Sequence, residues 1–256
     1  MPQEQHRATA RVLDILEHLT SADGRGQTLT ELAQALDAPK SSLFPILHTL
    51  EERRYIRLDR PTGQYFIGPG AYVLGAAFSG GRGLDPIAQV MKDVVCRCEE
   101  TCQLGILDHG NVLYVEKEDS PQAIRMISQV GKRLPANSTA IGKALLSGLE
   151  NEAVRSLFPA ELPRLTEKTV TDLETLLSQL GDIRSGGIAS EREETAPQLA
   201  CWAVPLRRRG EVFAALSVSV PLFRCSAEKE ALVRRSLLDA RQEIEQIAES
   251  RGFSLL

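Results

Sequence analysis

The sequence lacks most of the features that would place it in a functional class. It has five cysteines, too few and too irregularly placed for a disulfide scaffold, so reduced thiols are expected. No apolar run is long enough to cross a bilayer, and the N-terminus has no apolar core of a secretory leader. These absences predict a cytoplasmic protein. There is no Gly-x-Ser-x-Gly elbow, no Walker loop and no His-Glu-x-x-His pair. Three of the four histidines, His6, His18 and His48, precede residue 50, and His109 stands alone in a turn. No catalytic residue, metal ligand or cofactor motif is assigned. Cys96, Cys98 and Cys102 fall on one predicted helix, Leu84 to Cys102, with no histidine near, which suits structural cysteines rather than a tetrahedral metal site. Positive charge is also missing. The formal net charge is -4, and the first seventy residues carry no excess of Arg and Lys. Bulk electrostatic capture of nucleic acid is excluded, so any such contact rests on placed cations and hydrogen bonds.

What is present is an ordinary globular composition, 43% hydrophobic and 25% charged over 256 residues. That is long enough for two domains. The most informative stretch is Thr28 to Leu50. Leu29, Leu32, Ala33 and Leu36 recur at helical spacing, and Thr28 with Glu31 forms a capping box. Asp37 suits a left-handed turn and Pro39 the start of a second helix. In that helix Leu43, Leu47 and Leu50 face inward. Ser41, Pro45, His48 and Glu52 lie opposite, flanked by Ser42, Phe44 and Thr49. This is the pattern of a helix-turn-helix, whose second helix can enter a DNA major groove; a buried helical hairpin gives the same local spacing.

The following residues separate the two readings. Tyr55 to Asp59 alternates as a strand, Arg60-Pro61-Thr62-Gly63 is turn chemistry, and Gln64 to Ile67 reads as the return strand. Helix, helix and hairpin make a winged helix. The side chains assigned to DNA are Lys40, Ser41, Ser42, Phe44, Pro45, His48, Thr49, Arg53, Arg60 and Thr62. Arg54, Arg57 and Gln64 lie beside them; a solvated helix end is the other reading of the arginine cluster. Arg7 to Thr20 is an amphipathic helix with Val12, Leu13, Leu16 and Leu19 on its stripe.

Residues 1–70 therefore form the expected DNA-binding domain, 71–83 a linker ending in the glycine-rich Ser79 to Gly83, and 84–256 a second domain. Gly81 and Gly83 have dinucleotide-loop spacing but no preceding strand and no third glycine. The second domain opens with the predicted helix Leu84 to Cys102. Gln103 to Asp108, Asn111 to Asp119 and Ala123 to Val130 read as strands. Helices are expected through Gly142 to Ser147, from Glu150 to Leu157, from a Thr171/Glu174 capping box to Arg184, and from Ser226 to Glu249. Further strands are expected near Gly187–Ser190, Leu199–Leu206 and Val212–Val220. Strands and helices mix without a βαβ repeat, which predicts an α+β domain with a largely antiparallel sheet.

One ligand site stands out. Asn137-Ser138-Thr139-Ala140-Ile141-Gly142 is small and polar and opens a helix, where backbone N–H groups and the helix dipole favour an anion such as a carboxylate. Ser217 and Ser219 share one face of a strand; a serine-bearing surface face has the same alternation.

The order of these blocks resembles the IclR family of bacterial transcription regulators, over roughly Ala8 to Ile247. The resemblance rests on RVLDIL, LTELAQAL, PKSSLFPILHTLEERRYI and TGQYFIGPGAYVLG. In the second domain it rests on GKRLPANSTAIGKALLS, TVTD, Gly186-Gly187, Cys201 with Ala203-Val204-Pro205, and AALSVSVP. It implies an N-terminal winged helix-turn-helix and a C-terminal GAF/PAS-like effector-binding domain. It also implies a homodimer or dimer of dimers on double-stranded DNA at a palindromic operator, with repression controlled by a small-molecule effector, often a carboxylate. Matching the motifs assigns the pocket to Ala140, Ile141, Glu191, Cys201, Ser217 and Ser219; Ser138 comes from the helix-opening segment. The sequence departs from the family pattern at Pro45, in the middle of the recognition helix, at Glu191 in place of aspartate, at Ala200 in place of arginine and at Val220 in place of glycine. Trp202 adjoins Cys201 and alternates to the other face. An enzyme or small-molecule carrier with an appended helical domain, or a protein-interaction module, are the rival readings.

Overall fold

The computed structural model describes residues 6–21, 24–80, 84–126, 128–158 and 161–251. The chain divides into two compact units, residues 1–81 and 82–256. In the first, α1 (Arg7–Ser21), β1 (Gln27–Thr28), α2 (Leu29–Ala35) and α3 (Lys40–Glu52) precede the hairpin of β2 (Ile56–Asp59) and β3 (Gln64–Ile67), and α4 (Pro69–Gly80) follows. The short β1, which the sequence does not announce, pairs with β3 on the side away from β2.

The local causes are legible. The Thr28 hydroxyl accepts from the Glu31 N–H while the Glu31 carboxylate accepts from the Thr28 N–H at 2.7 Å, so two free donors of the first turn are satisfied. Asp37 takes a left-handed φ of 43° at the turn. Pro39 is the residue before α3 rather than its first helical position. Leu32, Leu43, Leu47 and Leu50 meet Ile15, Leu19 and Ile56 in one core. The α1 stripe is corrected here: Leu13 is 54% exposed and Ile15 is fully buried. Two residues span about 200° of helix, so Leu13 points away from Ile15, whereas Leu19 returns beneath it. Helical backbone also runs through residues 71–80, the region assigned to a linker; the remaining linker residues, 81–83, lie outside the described residues.

The second unit is built on a six-stranded antiparallel sheet in the order β6-β5-β4-β9-β8-β7. Its strands are β4 (Thr101–Asp108), β5 (Asn111–Glu118), β6 (Arg133–Pro135), β7 (Ala189–Arg192), β8 (Leu199–Arg208) and β9 (Glu211–Pro221). The helices are α5 (Asp85–Cys98), α6 (Ala140–Leu146), α7 (Asn151–Leu157), α8 (Leu173–Arg184) and α9 (Ala227–Arg251). α5 and α9 pack together and against the sheet, and α9 lies on β8 and β9. α6 and α8 share a separate cluster with Cys201, Ala203 and Ala215.

Three sequence expectations change. The first helix ends at Cys98, and Glu99 turns left-handed at φ 55°, so Cys102 belongs to β4 rather than to the helix. The thiols of Cys98 and Cys102 are buried, and burial pushes both above the ordinary thiol range. Residues 123–130 form no strand among those described; Ile127 lies outside them, and the strand beside β5 on the side away from β4 is Arg133–Pro135. The cap of α8 is Asp172, whose carboxylate accepts from the Thr175 N–H at 2.8 Å, one residue later than the Thr171/Glu174 box. At the other end of α8, Gly186 provides the φ of 98° that ends the helix.

Candidate functional site

α3 presents one row to solvent. Lys40, Ser41, Pro45, His48, Thr49 and Glu52 are exposed, and Phe44 is 56% exposed, an unusual display for a large aromatic. Not every polar group in the row is free. Ser42 is half-buried; its hydroxyl donates to the Pro39 carbonyl at 2.8 Å and accepts from Arg11 on α1 at 3.3 Å. The Lys40 ammonium donates to the Thr30 hydroxyl at 2.7 Å, which aims it along α2. The Thr49 hydroxyl donates back to the Pro45 carbonyl at 2.9 Å. Pro45 sits inside an unbroken helix. The N–H it lacks would have bonded the carbonyl of Ser41, an exposed residue, so water can take that acceptor. Ser41 and His48 retain side chains pointed outward with no protein partner among the described residues.

The hairpin beside it forms a wing. Gly63 supplies φ 69° at the tip, and the Thr62 hydroxyl donates to the Asp59 carboxylate. Arg53, Arg54, Arg57, Arg60 and Thr62 are all exposed. The Arg57 guanidinium lies over the Phe66 ring, 4.1 Å from its centroid, so this arginine is held flat on the hairpin.

In the second unit, Ala140, Ile141, Cys201, Ser217 and Ser219 line one cavity. Register brings them together: Ser219 stands opposite Cys201 on one side and Thr101 on the other, and Ser217 stands opposite Ala203 and Gln103. The Cys201 thiol donates to the Ser219 hydroxyl at 3.3 Å, and that hydroxyl donates to the Gln103 carbonyl oxygen at 3.2 Å. The Gln103 amide nitrogen is buried and has no partner among the described residues. Gln103, Tyr114, Met126, Thr139 and Thr195 also line the cavity; Thr139 lies in the helix-opening segment singled out from the sequence, and sequence reading missed the other four. The space open to the centre of a water molecule is only about 10 Å³, room for a single water.

Two assigned residues lie outside that lining. The Ser138 hydroxyl donates to the Pro135 carbonyl at 2.9 Å, and the Ser138 carbonyl accepts from Thr195 at 2.8 Å. One Glu191 carboxylate oxygen accepts the Glu194 N–H at 2.7 Å and the Thr195 N–H at 3.3 Å, while the other is buried without a partner among the described residues. Burial raises the Glu191 carboxyl above the usual range, against the hydrogen bonds that lower it. Burial likewise pushes the Cys201 thiol well up, with the nearby Glu191 adding to it, so this cysteine is a neutral donor. The free N–H groups expected at the start of α6 are partly spent: the Thr139 hydroxyl accepts the Gly142 N–H at 2.9 Å. Gly142 is required for a separate reason, because a Cβ there would stand 2.2 Å from the Ala136 carbonyl oxygen.

A buried ion pair holds α6 in place. The Lys143 ammonium, 1% exposed, meets the Glu194 carboxylate at 2.5 Å, whose second oxygen accepts the Val170 N–H at 3.1 Å. Among the described residues no cluster of His, Cys, Asp and Glu could hold a metal ion, and no helix is long and apolar enough to cross a membrane.

Both units match known protein families. The IclR helix-turn-helix domain matches residues 8–60, and the bacterial transcriptional regulator IclR C-terminal domain matches residues 85–246. The transcriptional regulator KdgR of Escherichia coli is 34% identical over 222 residues, covering 86% of this chain and 84% of that protein. The fold is that of the IclR regulator from Alicyclobacillus acidocaldarius, with a TM-score of 0.86 at 23% identity over 95% of this chain and 99% of that one. An IclR homolog from Microbacterium hydrocarbonoxydans, solved with 4-hydroxybenzoate, gives 0.78 at 23% identity over 93% and 99%. The chain belongs to the IclR family of bacterial transcription regulators: it is a DNA-binding regulator with an effector-binding C-terminal domain, not an enzyme.

Proposed function

We propose that this regulator represses transcription from a palindromic operator in the cytoplasm and that a small carboxylate in the Ser217/Ser219 cavity alters its grip. The observation that carries the reading is the outward row of α3 in one unit together with the buried, partly unsatisfied polar cavity in the other. On the DNA side, Ser41, His48 and Phe44 face base edges, while Lys40, Arg53, Arg60 and Thr62 face phosphate; Ser42, Pro45 and Thr49 shape the row. A palindrome needs two copies. Tyr72, Val73 and Leu74 on α4 are 79%, 66% and 58% exposed, which supports a homodimer or a dimer of dimers that covers them.

On the ligand side, the Gln103 amide and the Ser217 hydroxyl are donors suited to a carboxylate. The co-crystallised 4-hydroxybenzoate of the Microbacterium relative is consistent with that class. A cavity of about 10 Å³ cannot take such a molecule as it stands. Binding therefore requires the cavity lining to move apart, and that movement couples ligand to protein shape.

A mobility-shift assay on a palindromic duplex tests the DNA half. His48→Ala is expected to weaken binding about tenfold or more with no change in melting temperature; unchanged affinity rules out the assigned row. In the same assay Ser217→Ala with Ser219→Ala retains DNA binding and loses the response to carboxylates. Loss of both functions together makes the serines structural.

A further inference from the structure

A second pocket lies in the C-terminal unit, and its lining shares no residue with the cavity above. It sits where β8 runs on past the end of β7. β7 pairs only with Ala200–Ala203, so the Val204–Arg208 end of β8 is an open edge. That edge is protected in two ways: Pro205 has no N–H to leave unpaired, and the Arg207 N–H donates to the Glu245 carboxylate of α9 at 2.8 Å. The pocket has a volume of about 320 Å³ and is walled by the turn after α6, the end of α8, β8 and α9.

Arg184, Arg207 and Arg241 all line the pocket, each half-buried. Some arginines of this unit pair with carboxylates, among them Arg97 with Asp239, Arg133 with Asp108, Arg155 with Glu174 and Arg224 with Glu100. These three find none among the described residues. Arg184 is pinned instead by neutral acceptors, the carbonyls of Ser147 at 3.2 Å and Leu149 at 2.7 Å and the Asn151 side chain at 2.8 Å. Each of its three nitrogens is engaged, but its charge is not neutralised. The side chains of Arg207 and Arg241 have unspent donors. The one carboxylate in the lining, Glu150, is exposed; Glu245 lies outside the lining and accepts the Arg207 backbone N–H.

Half-buried guanidiniums of like charge repel one another and have lost part of their hydration, so an anion between them is favoured on both counts. We infer that this pocket is a second ligand site, taking a compact multivalent oxyanion, a phosphate or a polycarboxylate, with Arg207 and Arg241 as its hydrogen-bond donors and Arg184 as a fixed positive charge.

Titration calorimetry on the full chain without DNA tests this with inorganic phosphate, pyrophosphate and citrate as probes, at constant ionic strength. Saturable binding is expected for at least one of them. Arg207→Gln and Arg241→Gln should each weaken it at least tenfold, and Arg207→Lys should weaken it less than Arg207→Gln. Ser217→Ala with Ser219→Ala should leave it unchanged, which separates this site from the effector cavity. Tighter phosphate and pyrophosphate binding assigns a phosphorylated ligand, and tighter citrate a polycarboxylate. Absence of saturable binding by all three, or binding that survives both glutamine substitutions, overturns the inference. Should a glutamine variant melt early, the lysine variant and the parent titration still decide it.

Discussion

The two candidate surfaces spend their hydrogen bonds in opposite ways. On α3 the outward row faces water, and Ser41 and His48 keep their side-chain polar groups without protein partners among the described residues. In the cavity the polar groups are buried and almost all engaged: Cys201 to Ser219, Ser219 to Gln103, Thr195 to Ser138. A surface that meets a large, hydrated polyanion can leave its donors to water until contact, at little cost to folding. A surface that meets a small ligand must bury its donors beforehand, and the fold has to bear the unsatisfied ones, here the Gln103 amide nitrogen. The contrast implies that substitutions in the row act on DNA affinity with little effect on stability, while those around the cavity act on stability first.

The largest effect is expected beside the cavity. Lys143→Met leaves the Glu194 carboxylate, 9% exposed, with the Val170 N–H as its remaining side-chain contact. Breaking a buried pair this way costs about 3–5 kcal/mol, read as a fall in the urea midpoint of the C-terminal unit. The double variant Lys143→Met with Glu194→Leu should recover most of that loss. If Lys143→Met is no worse than a surface substitution, the buried polar frame does not hold α6, and the contrast between the two surfaces fails.

The next test sharpens the exposed side. Pro45 costs α3 the hydrogen bond that an N–H at this position would give the Ser41 carbonyl, and proline inside a helix is worth up to about 3 kcal/mol against alanine. Because the chain keeps a proline there, Pro45→Ala should raise the stability of the N-terminal unit by a sizeable part of that amount and lower operator affinity. A gain in stability with affinity unchanged would make Pro45 a tolerated defect rather than part of the row.

Legibility in the sequence follows the same division. The α3 row is a property of one helix, so a period of 3.6 residues suffices to place Leu43, Leu47 and Leu50 inside and Ser41, Pro45 and His48 outside. The wing follows from turn chemistry at Pro61 to Gly63 in the same local way. The cavity depends on cross-strand register. Ser217 and Ser219 share a face by alternation alone, yet Gln103 joins them only because β4 lies against β9 in the register that sets Gln103 opposite Ser217. Nothing within QLGILD distinguishes that glutamine from a surface residue. Thr195 and Met126 come from irregular segments without period. Leu13 and the Asp172 cap were misread for a smaller reason: two neighbouring residues can both satisfy a local pattern, and tertiary packing chooses between them.

The smallest effect concerns Glu191, and it discriminates because the exposed row has no counterpart. The side chain is 4% exposed, and burial holds its carboxyl above the ordinary glutamate range even though it accepts two backbone N–H groups. The folded protein therefore keeps this proton at a pH where the unfolded chain has released it. Stability from this group is fully present below the unfolded glutamate value of about 4.3 and is lost as pH rises through the raised folded value. Within that window the slope is at most about 1.4 kcal/mol per pH unit for one proton. Glu191→Gln removes the titration and keeps the shape. Urea midpoints measured from pH 4.5 upward should therefore fall for the parent and flatten for the variant, while DNA affinity of the two stays equal at each pH. Parallel slopes would mean that the carboxylate is ionised and compensated in the folded state, and that the cavity region bears less unsatisfied burial than its geometry implies.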